Sequence, residues 1–245
     1  MNVTEMHHAV ELGVQQIDSH RDDDFLPEEI DYYLNKSQER FIKKRYNPFG
    51  NAYMRGFEQS QKRIEDLRKL FVKDGQLDSN FSEDTSAISG FYTDYVELPE
   101  DHFLTISQRS LVKFKTGGIN WEINNGKRVP TDTNYGEKVS KNRVAQSDQI
   151  YSLLNDPFNT TKYDDPIADF NENQINIYTD NTFIVDKLFL NYIRHPKKVN
   201  YNKSINCELP QHTHEEIVDG AVRLILGTID SMGPEYKAQQ LERNE

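Results

Sequence analysis

The fold is decided by residues 207–229, which read CELPQHTHEEIVDGAVRLILGTI and form the most apolar and most regularly periodic stretch of a polar chain. Its apolar residues recur at intervals of three and four, the pattern of a helix that buries one broad face. They are Ile217, Val218, Ala221, Val222, Leu224, Ile225 and Ile229. Such a helix must pack against other elements, so we expect it to organise a helical core.

The start of this helix carries two signals, and the sequence does not choose between them. Pro210 has the fixed φ of a first helical turn, while Thr213 and Glu216 have the spacing of a capping box. Gly227 weakens the run and the pair Gly233-Pro234 ends it, after which a second, polar helix is predicted.

Three amphipathic helices are predicted in the first 75 residues: 4–19, from Pro27 to the break at Asn47-Pro48, and 53–72. The second has acidic residues at its start and basic residues at its end, which complements its macrodipole. We expect the apolar faces of these helices to close onto the C-terminal helix. The predicted bundle core consists of Val10, Val14, Ile30, Leu34, Phe41, Ile64, Leu67, Ile217, Ala221, Leu224 and Ile225.

The composition changes after Gly75. Residues 77–89 are rich in Ser, Asp and Asn and predict a linker or mobile loop, and from Gly90 onward the pattern is that of short strands. The dipeptides Gly117-Gly118 and Asn125-Gly126 flank 119–123 and predict a strand between two tight turns.

Further along the chain, residues 147–154 predict two helical turns, and two alternating segments follow at 174–179 and 183–193. We expect these segments to form a hairpin around Asp180-Asn181, with a bulge in the second strand where its alternation slips. The predicted fold class is therefore α+β: a helical bundle formed by the N- and C-terminal helices, with an inserted β-rich domain of sandwich or barrel type. The predicted boundaries are 1–76 and 205–245 for the bundle and 77–204 for the insert.

Charge and composition restrict the functional classes. The 40 acidic and 29 basic residues give a net charge of −11, which disfavours a broad basic face for nucleic acid. No apolar run reaches membrane-spanning length and the N-terminus lacks signal-peptide features, so we expect synthesis in the cytoplasm and no membrane partner. Cys207 is the only cysteine, which excludes an internal disulfide and a thiolate zinc cluster.

Two clusters could carry chemistry. His212 and His214 stand beside two glutamates and permit an alternative function as a metal-dependent hydrolase, but no His-Glu-x-x-His or other metal-ligand spacing supplies the remaining ligands. The favoured interpretation is that these polar side chains satisfy the helix start. No nucleotide-binding loop or nucleophile motif occurs. We therefore predict no catalytic, cofactor-binding or metal-binding residue, no cofactor and no enzymatic activity; a monomeric binding module is a further alternative.

The second cluster is the basic run RHPKK at residues 194–198, which by default is a solvated loop. In an acidic protein it is also a candidate contact surface, together with the outer face of the C-terminal helix. The candidate subunit or DNA-channel contacts are Arg194, Lys197, Lys198, Asp219 and Arg223.

Several stretches resemble those of a known family. ELP at 208–210 followed by HEEIV at 214–218 is similar to the C-terminal helix start of head-to-tail adaptor, or ring, proteins of short-tailed phages. VELPEDHFL at 96–104, NDPF at 155–158, INIY at 175–178 and LNYIRHPKK at 190–198 resemble ring (connector) proteins of crAss-like phages. The order and spacing of these stretches, over about residues 90 to 230, carry the resemblance.

The resemblance implies a structural virion protein in the neck or tail, one subunit of a ring of twelve identical copies at the head-tail junction. It implies that the portal protein lies on one side of this ring and that other ring or tail-barrel proteins lie on the other. DNA would pass through a central channel without sequence-specific binding, and a negatively charged wall suits that role because it does not attract the duplex.

Overall fold

The computed structural model describes residues 1–17, 25–46, 61–82 and 90–229, and the side chains of 17, 61–63 and 229 are not included. Within this described part, five α-helices lie mostly toward the two ends of the chain and eleven strands lie between them. The predicted α+β class, with terminal helices and a β-rich middle, is confirmed. The chain divides into two units, one formed by Met1–Leu70 with Pro196–Glu245 and the other by Phe71–His195.

This division lies close to the predicted boundaries but not at them. The predicted third helix at 53–72 ends earlier than expected, because Phe71 and Val72 already pair with Ile193 and Tyr192 as strand residues. A β-branched and an aromatic side chain fit such a ladder better than a helix. Residues 53–60 of that predicted helix lie outside the described residues, as does the second polar helix predicted after residue 233.

The helical unit contains four α-helices in its described part. They are α1 (Val3–Ile17), α2 (Pro27–Tyr46), α3 (Gln61–Leu67) and α5 (His214–Ile229), with 3-10 turns at Arg68–Leu70 and Gln211–Thr213. Helix α5 packs against α1 and α2. Two glycines permit this close approach: a Cβ on Gly13 would stand 2.8 Å from Val222, and a Cβ on Gly220 would overlap the hydroxyl of Ser37.

Most residues of the predicted bundle core are buried in this unit. The buried ones are Val10, Val14, Ile30, Leu34, Phe41, Leu67, Ile217, Ala221 and Ile225. Ile64 and Leu224 are only half-buried. Leu224 is half-buried and follows the exposed Arg223 in α5. Its side chain therefore covers the edge of the buried face of α5 rather than its centre.

The β unit consists of two larger sheets and one hairpin. A four-stranded sheet has the order β1-β11-β4-β7, and a five-stranded sheet has the order β2-β3-β10-β9-β8. The strands are β1 (Phe71–Asp78), β2 (Asn80–Ser82), β3 (Tyr92–Glu97), β4 (His102–Phe114), β5 (Trp121–Asn124), β6 (Lys127–Pro130), β7 (Gly136–Lys141), β8 (Arg143–Val144), β9 (Ile167–Asn171), β10 (Gln174–Thr179) and β11 (Phe183–Arg194). The curled sheets share one apolar cluster, in which Val96 and Ile175 of one sheet meet Val112 and Leu190 of the other.

Helix α4 (Ile150–Asn155) overlaps the two helical turns predicted at 147–154 and packs on the five-stranded sheet through Ile150 and Leu154. The predicted hairpin turn at Asn125-Gly126 is confirmed: it joins β5 to β6, and both residues have positive φ, 52° and 76°. The predicted bulge in β11 is also confirmed by a register shift between Val185 and Lys187.

Two local predictions in the β unit are wrong. Strands β10 and β11 do not pair with each other, because the chain crosses from one sheet to the other at Asp180-Asn181. The side chain of Asp180 fixes this crossing by accepting hydrogen bonds from the backbone N–H and hydroxyl of Thr182, at 2.8 and 2.6 Å. The predicted loop at 77–89 begins instead with the end of β1 and with β2, whereas 83–89 lie outside the described residues.

Among the residues described, no helix is both long and apolar enough to cross a membrane.

Candidate assembly surfaces

The two histidines at the start of α5 have different partners. His212 Nε2 lies 2.8 Å from Oδ1 of Asp66, a buried carboxylate at the end of α3. Asp66 also pairs with Arg45 of α2 at 2.8 Å, and Arg45 reaches Glu216 of α5. This chain of charges ties the start of α5 to the ends of α2 and α3.

His214 is buried and its Nε2 lies 2.9 Å from the carbonyl oxygen of Leu209, so it closes the turn that precedes α5. Burial disfavours the charged imidazolium and lowers the pKa of His214. The Thr213 hydroxyl donates to the Pro210 carbonyl at 2.8 Å, while Glu216 pairs with Arg45. The helix start is therefore held by two local bonds, from His214 to Leu209 and from Thr213 to Pro210, and by the tertiary pair of Glu216 with Arg45. In the described part of the chain, no three His, Cys, Asp or Glu side chains are arranged to hold a metal ion.

The basic segment after β11 is anchored by its backbone. Asn35 of α2 accepts from the N–H of Val199 at 2.7 Å and donates to its carbonyl at 3.0 Å, and Gln38 donates to the carbonyl of Lys197. Cys207, which is buried, donates its thiol to Gln38 at 3.2 Å. The backbone is thus fixed on α2 while the side chains of Lys197 and Lys198 are exposed.

A buried carboxylate fixes the next part of the same segment. His7 Nε2 of α1 lies 2.8 Å from Oδ1 of Asp31 in α2, and the N–H of Tyr201 donates to both oxygens of Asp31. The rings of His7 and Tyr201 lie 4.7 Å apart. Asp31 therefore joins α1, α2 and the 196–206 segment at one point.

The other predicted contact residues lie in both units. Asp219 and Arg223 are exposed on the outer face of α5 in the helical unit. Arg194 is half-buried at the end of β11 in the β unit. Whether any of these residues contacts a partner stays a prediction.

Near Arg194, two groups have shifted pKa values: Tyr192 of β11 and His102, the first residue of the neighbouring strand β4. Tyr192 donates its hydroxyl to Asp101 at 3.0 Å, and burial together with that carboxylate raises its pKa to about 12. His102 lies 2.8 Å from the hydroxyl of Thr105, and burial, with the charge of His195, lowers its pKa. Both groups are therefore held in their neutral forms near neutral pH.

A buried guanidinium attaches the β5–β6 hairpin to the five-stranded sheet. Arg128 pairs with Asp94 through two hydrogen bonds, of which Nε to Oδ1 is 2.9 Å, and it also donates to Thr179. The rings of Phe81, Tyr92 and Trp121 surround it at 5.2 to 5.3 Å. Fixed charge, pairing and aromatic contact make this a rigid junction.

Exposed aromatic side chains mark a different surface of the β unit. Tyr151 of α4 is 70 % exposed, and Phe158 in the following turn is 85 % exposed, the highest value among the large apolar side chains described. The Asp156 carboxylate accepts from Asn159 Nδ2 at 2.7 Å and from the N–H of Phe158 at 2.9 Å, which lowers its pKa. Phe158 thus projects from an ordered turn, as recognition residues do.

Sequence reasoning did not identify Phe158. The stretch NDPF at 155–158 contributes to the family resemblance but gives no sign that the Phe158 side chain is exposed. An aromatic residue directly after an Asp-Pro pair is a possible signal, but its exposure depends on how α4 packs, which no local pattern reports.

The chain matches a known protein family over most of its length. Residues 1–232 match the model of a family described as phage tail ring protein 3/4, and this range includes the described residues of both units. None of the curated proteins matches the sequence.

Proposed function

The chain belongs to the phage tail ring protein 3/4 family, so it is a structural ring protein of a phage tail, and on this premise we propose that it is a portal-to-tail adaptor. In this proposal, identical subunits form a ring of twelve at the head-tail junction. The portal protein binds one side of the ring, other ring or tail-barrel proteins bind the other side, and DNA passes through the centre. The subunits are made in the host cytoplasm before they join the virion.

The observation that carries the proposal is the extent of the family match. It begins at residue 1, covers α1 to α5 and all the strands described, and ends at 232. A match confined to one unit would support only a shared module. A match across both units supports a shared role for the whole chain.

The net negative charge of the protein supports the proposal that DNA passes through the centre of the ring. At a net charge of −11, the average surface repels a DNA duplex, so the strand would slide without being held. Lys197 and Lys198 are exposed local exceptions on an anchored backbone. In the proposed ring they would guide phosphates over a short distance, whereas a broad basic wall would retain the DNA.

Imaging tests the adaptor role. The chain, produced together with the portal protein of the same phage, should form closed rings that stack coaxially on the portal in negative-stain or cryo-electron micrographs. Virions should show the same ring between the portal and the tail. A chain that stays monomeric by light scattering in all of these settings would instead be a binding module, and the proposal would be wrong.

A binding measurement tests the channel separately. The assembled ring should bind duplex DNA weakly at physiological salt, and its affinity should depend only slightly on salt. Changing Lys197 and Lys198 to Ala together should reduce this weak binding further, while changing Lys43 and Lys44 of α2, also exposed, to Ala together is the control for the loss of two charges. Tight binding with a steep salt dependence would contradict passage of DNA without retention.

A further inference from the structure

One pocket of the β unit is large enough to receive an exposed aromatic side chain. It lies beside Tyr92, Ile119 and Trp121, has a volume of about 520 Å³, and is bordered by Gly117-Gly118 and Lys115. Thr116, Asn120 and Asn181 complete its rim. Since a cavity of about 150 Å³ already accommodates benzene, a phenylalanine side chain fits this space.

The floor of the pocket is held in place before anything binds. Tyr92 and Trp121 lie edge to face, with centroids 5.3 Å apart and planes at 83°. Arg128 is within contact distance of both rings and is itself fixed by Asp94. The space above Gly117 is open, because a Cβ there would meet no atom within 4 Å. An incoming aromatic ring would meet the fixed rings of Tyr92 and Trp121 and the bare backbone of Gly117-Gly118, next to the polar side chains of the rim.

The pocket and the exposed turn lie toward opposite edges of the five-stranded sheet. The sheet order is β2-β3-β10-β9-β8, and Tyr92 of the pocket starts β3. The turn carrying Phe158 is attached near β8, since Arg143 of that strand donates to the carbonyl of Asn159. Thr161, just beyond the turn, accepts from the N–H of Ile167 in β9.

A ring of identical subunits needs such a pair of surfaces. In cyclic symmetry each subunit presents one surface to the next copy and a different, complementary surface to the previous copy. Resting on the ring proposed above, we propose that Phe158 of one subunit inserts into the pocket beside Trp121 of its neighbour. The partner is a second copy, because the projecting side chain and the receiving pocket are both present on this chain. A portal or tail protein would account for one of them only.

Cross-linking tests the proposed neighbour contact directly. Pro157→Cys places a thiol beside Phe158 without removing its ring, and Thr116→Cys places one on the pocket rim; both are exposed positions. In a Cys207→Ser background, assembled rings of the double variant should give a ladder of covalent oligomers with a short bis-maleimide. Either single variant should give none.

The cross-linking result separates two failures. Rings that form normally but give no ladder would overturn the proposed contact and leave the adaptor function intact. If the background protein forms no ring with portal present, the proposed function fails, and the contact fails with it.

A second measurement does not depend on cysteines. Phe158→Ala should raise the concentration needed for ring assembly at least about tenfold, as expected for an aromatic hot spot, without lowering thermal stability. Tyr32→Ala removes an exposed aromatic ring from the helical unit and is the matched control. Thr116→Trp should block the pocket and reproduce the Phe158→Ala defect. Equal assembly of the Phe158→Ala and Tyr32→Ala proteins would overturn the proposal.

Discussion

Each unit uses one buried aspartate to hold a segment that is distant in sequence, but the two aspartates have different partners. Asp31 of the helical unit accepts from His7 and from the backbone of Tyr201, whereas Asp94 of the β unit accepts from Arg128 and from the N–H of Val185. Neutral imidazole can donate this bond, but guanidinium is always charged. Removing a partner therefore leaves a less costly defect at Asp31 than at Asp94.

The surroundings enlarge this difference. Helices α1, α2 and α5 share a continuous apolar interface, so the Asp31 contacts add to packing that already exists. The β5–β6 hairpin has only two strands, and isolated two-stranded hairpins are marginally stable in water. The comparison indicates that the helical unit depends mainly on its apolar face, whereas the β5–β6 hairpin depends on the Arg128–Asp94 ion pair together with the rings around it and the backbone hydrogen bond from Phe81 to Gly126.

The largest expected effect is at this ion pair. Arg128→Ala leaves Asp94 buried without its cation and removes the contact with three rings, so it should lower the free energy of unfolding by about 3 to 5 kcal/mol. Arg109→Ala breaks an ion pair with Asp74 whose side chains are more than 40 % exposed, and should cost at most about 1 kcal/mol. Denaturant unfolding of both variants measures the difference, and equal losses would contradict it.

For the helical unit, the test lies in its apolar face. Ile225 is fully buried in α5, so Ile225→Ala should cost about 2 to 5 kcal/mol. Leu224→Ala should cost less because the side chain is half-buried, and Arg223→Ala should change stability by no more than about 0.5 kcal/mol. Similar losses at all three positions, measured by urea unfolding, would show that the buried face is wrongly assigned.

Alanine substitutions at two glycines of α5 should change the free energy of unfolding by smaller amounts and in opposite directions. A Cβ at Gly220 displaces Ser37, whose hydroxyl donates to the carbonyl of Ile217 at 2.7 Å. Gly220→Ala should therefore cost about 1 to 2 kcal/mol, the lost bond and overpacking being partly offset by helix propensity.

Gly227, by contrast, has no atom within 4 Å of its added Cβ, and Gly227→Ala should stabilise the protein by up to about 1 kcal/mol. Thermal melting of both variants gives the two signs. If both substitutions stabilise the protein, α5 does not pack on α2 as closely as described.

The smallest expected effect is on the decrease in stability at acidic pH. Burial lowers the pKa of His214 in the helical unit, and burial with His195 lowers that of His102 in the β unit. As the pH falls, the unfolded chain binds protons at these histidines before the native protein does. The free energy of unfolding therefore keeps its full value above the ordinary histidine pKa, about 6.5, and decreases as the pH falls below it.

Stability should therefore decrease between pH 7 and pH 5, and His214→Gln, which keeps a donor for the Leu209 carbonyl, should make that decrease shallower. His102→Gln should act in the same direction. Urea midpoints at pH 7 and pH 5 provide the measurement, and an unchanged slope in both variants would contradict the assignment.

Local patterns explain what the sequence could predict. The spacing of Ile217, Ala221 and Ile225 identifies both a helix and its buried face, because a period of 3.6 requires nothing beyond the helix itself. Asn125-Gly126 identifies the β5–β6 turn for the same reason, since positive φ is a property of the two residues.

Tertiary partners explain what it could not predict. The alternation in β10 and β11 reports which face is buried but not which strand lies alongside, so it predicts a hairpin where the chain crosses from one sheet to the other. Arg128 lies next to a tight turn, where arginine is usually solvated; its burial requires Asp94 and three rings from other strands. The same limit applies to Asp31 and His7, which are 24 residues apart.

The pairing of β1 with β11 has a consequence for how this protein can change. Phe71, the first residue of the β unit, is the register partner of Ile193, close to its last, so the chain enters and leaves this unit through antiparallel neighbours only about 4.5 to 5.5 Å apart. A short peptide could replace everything between them without stretching the helical unit. The β unit therefore has the connectivity of an insertion, since the chain enters and leaves it through neighbouring strands.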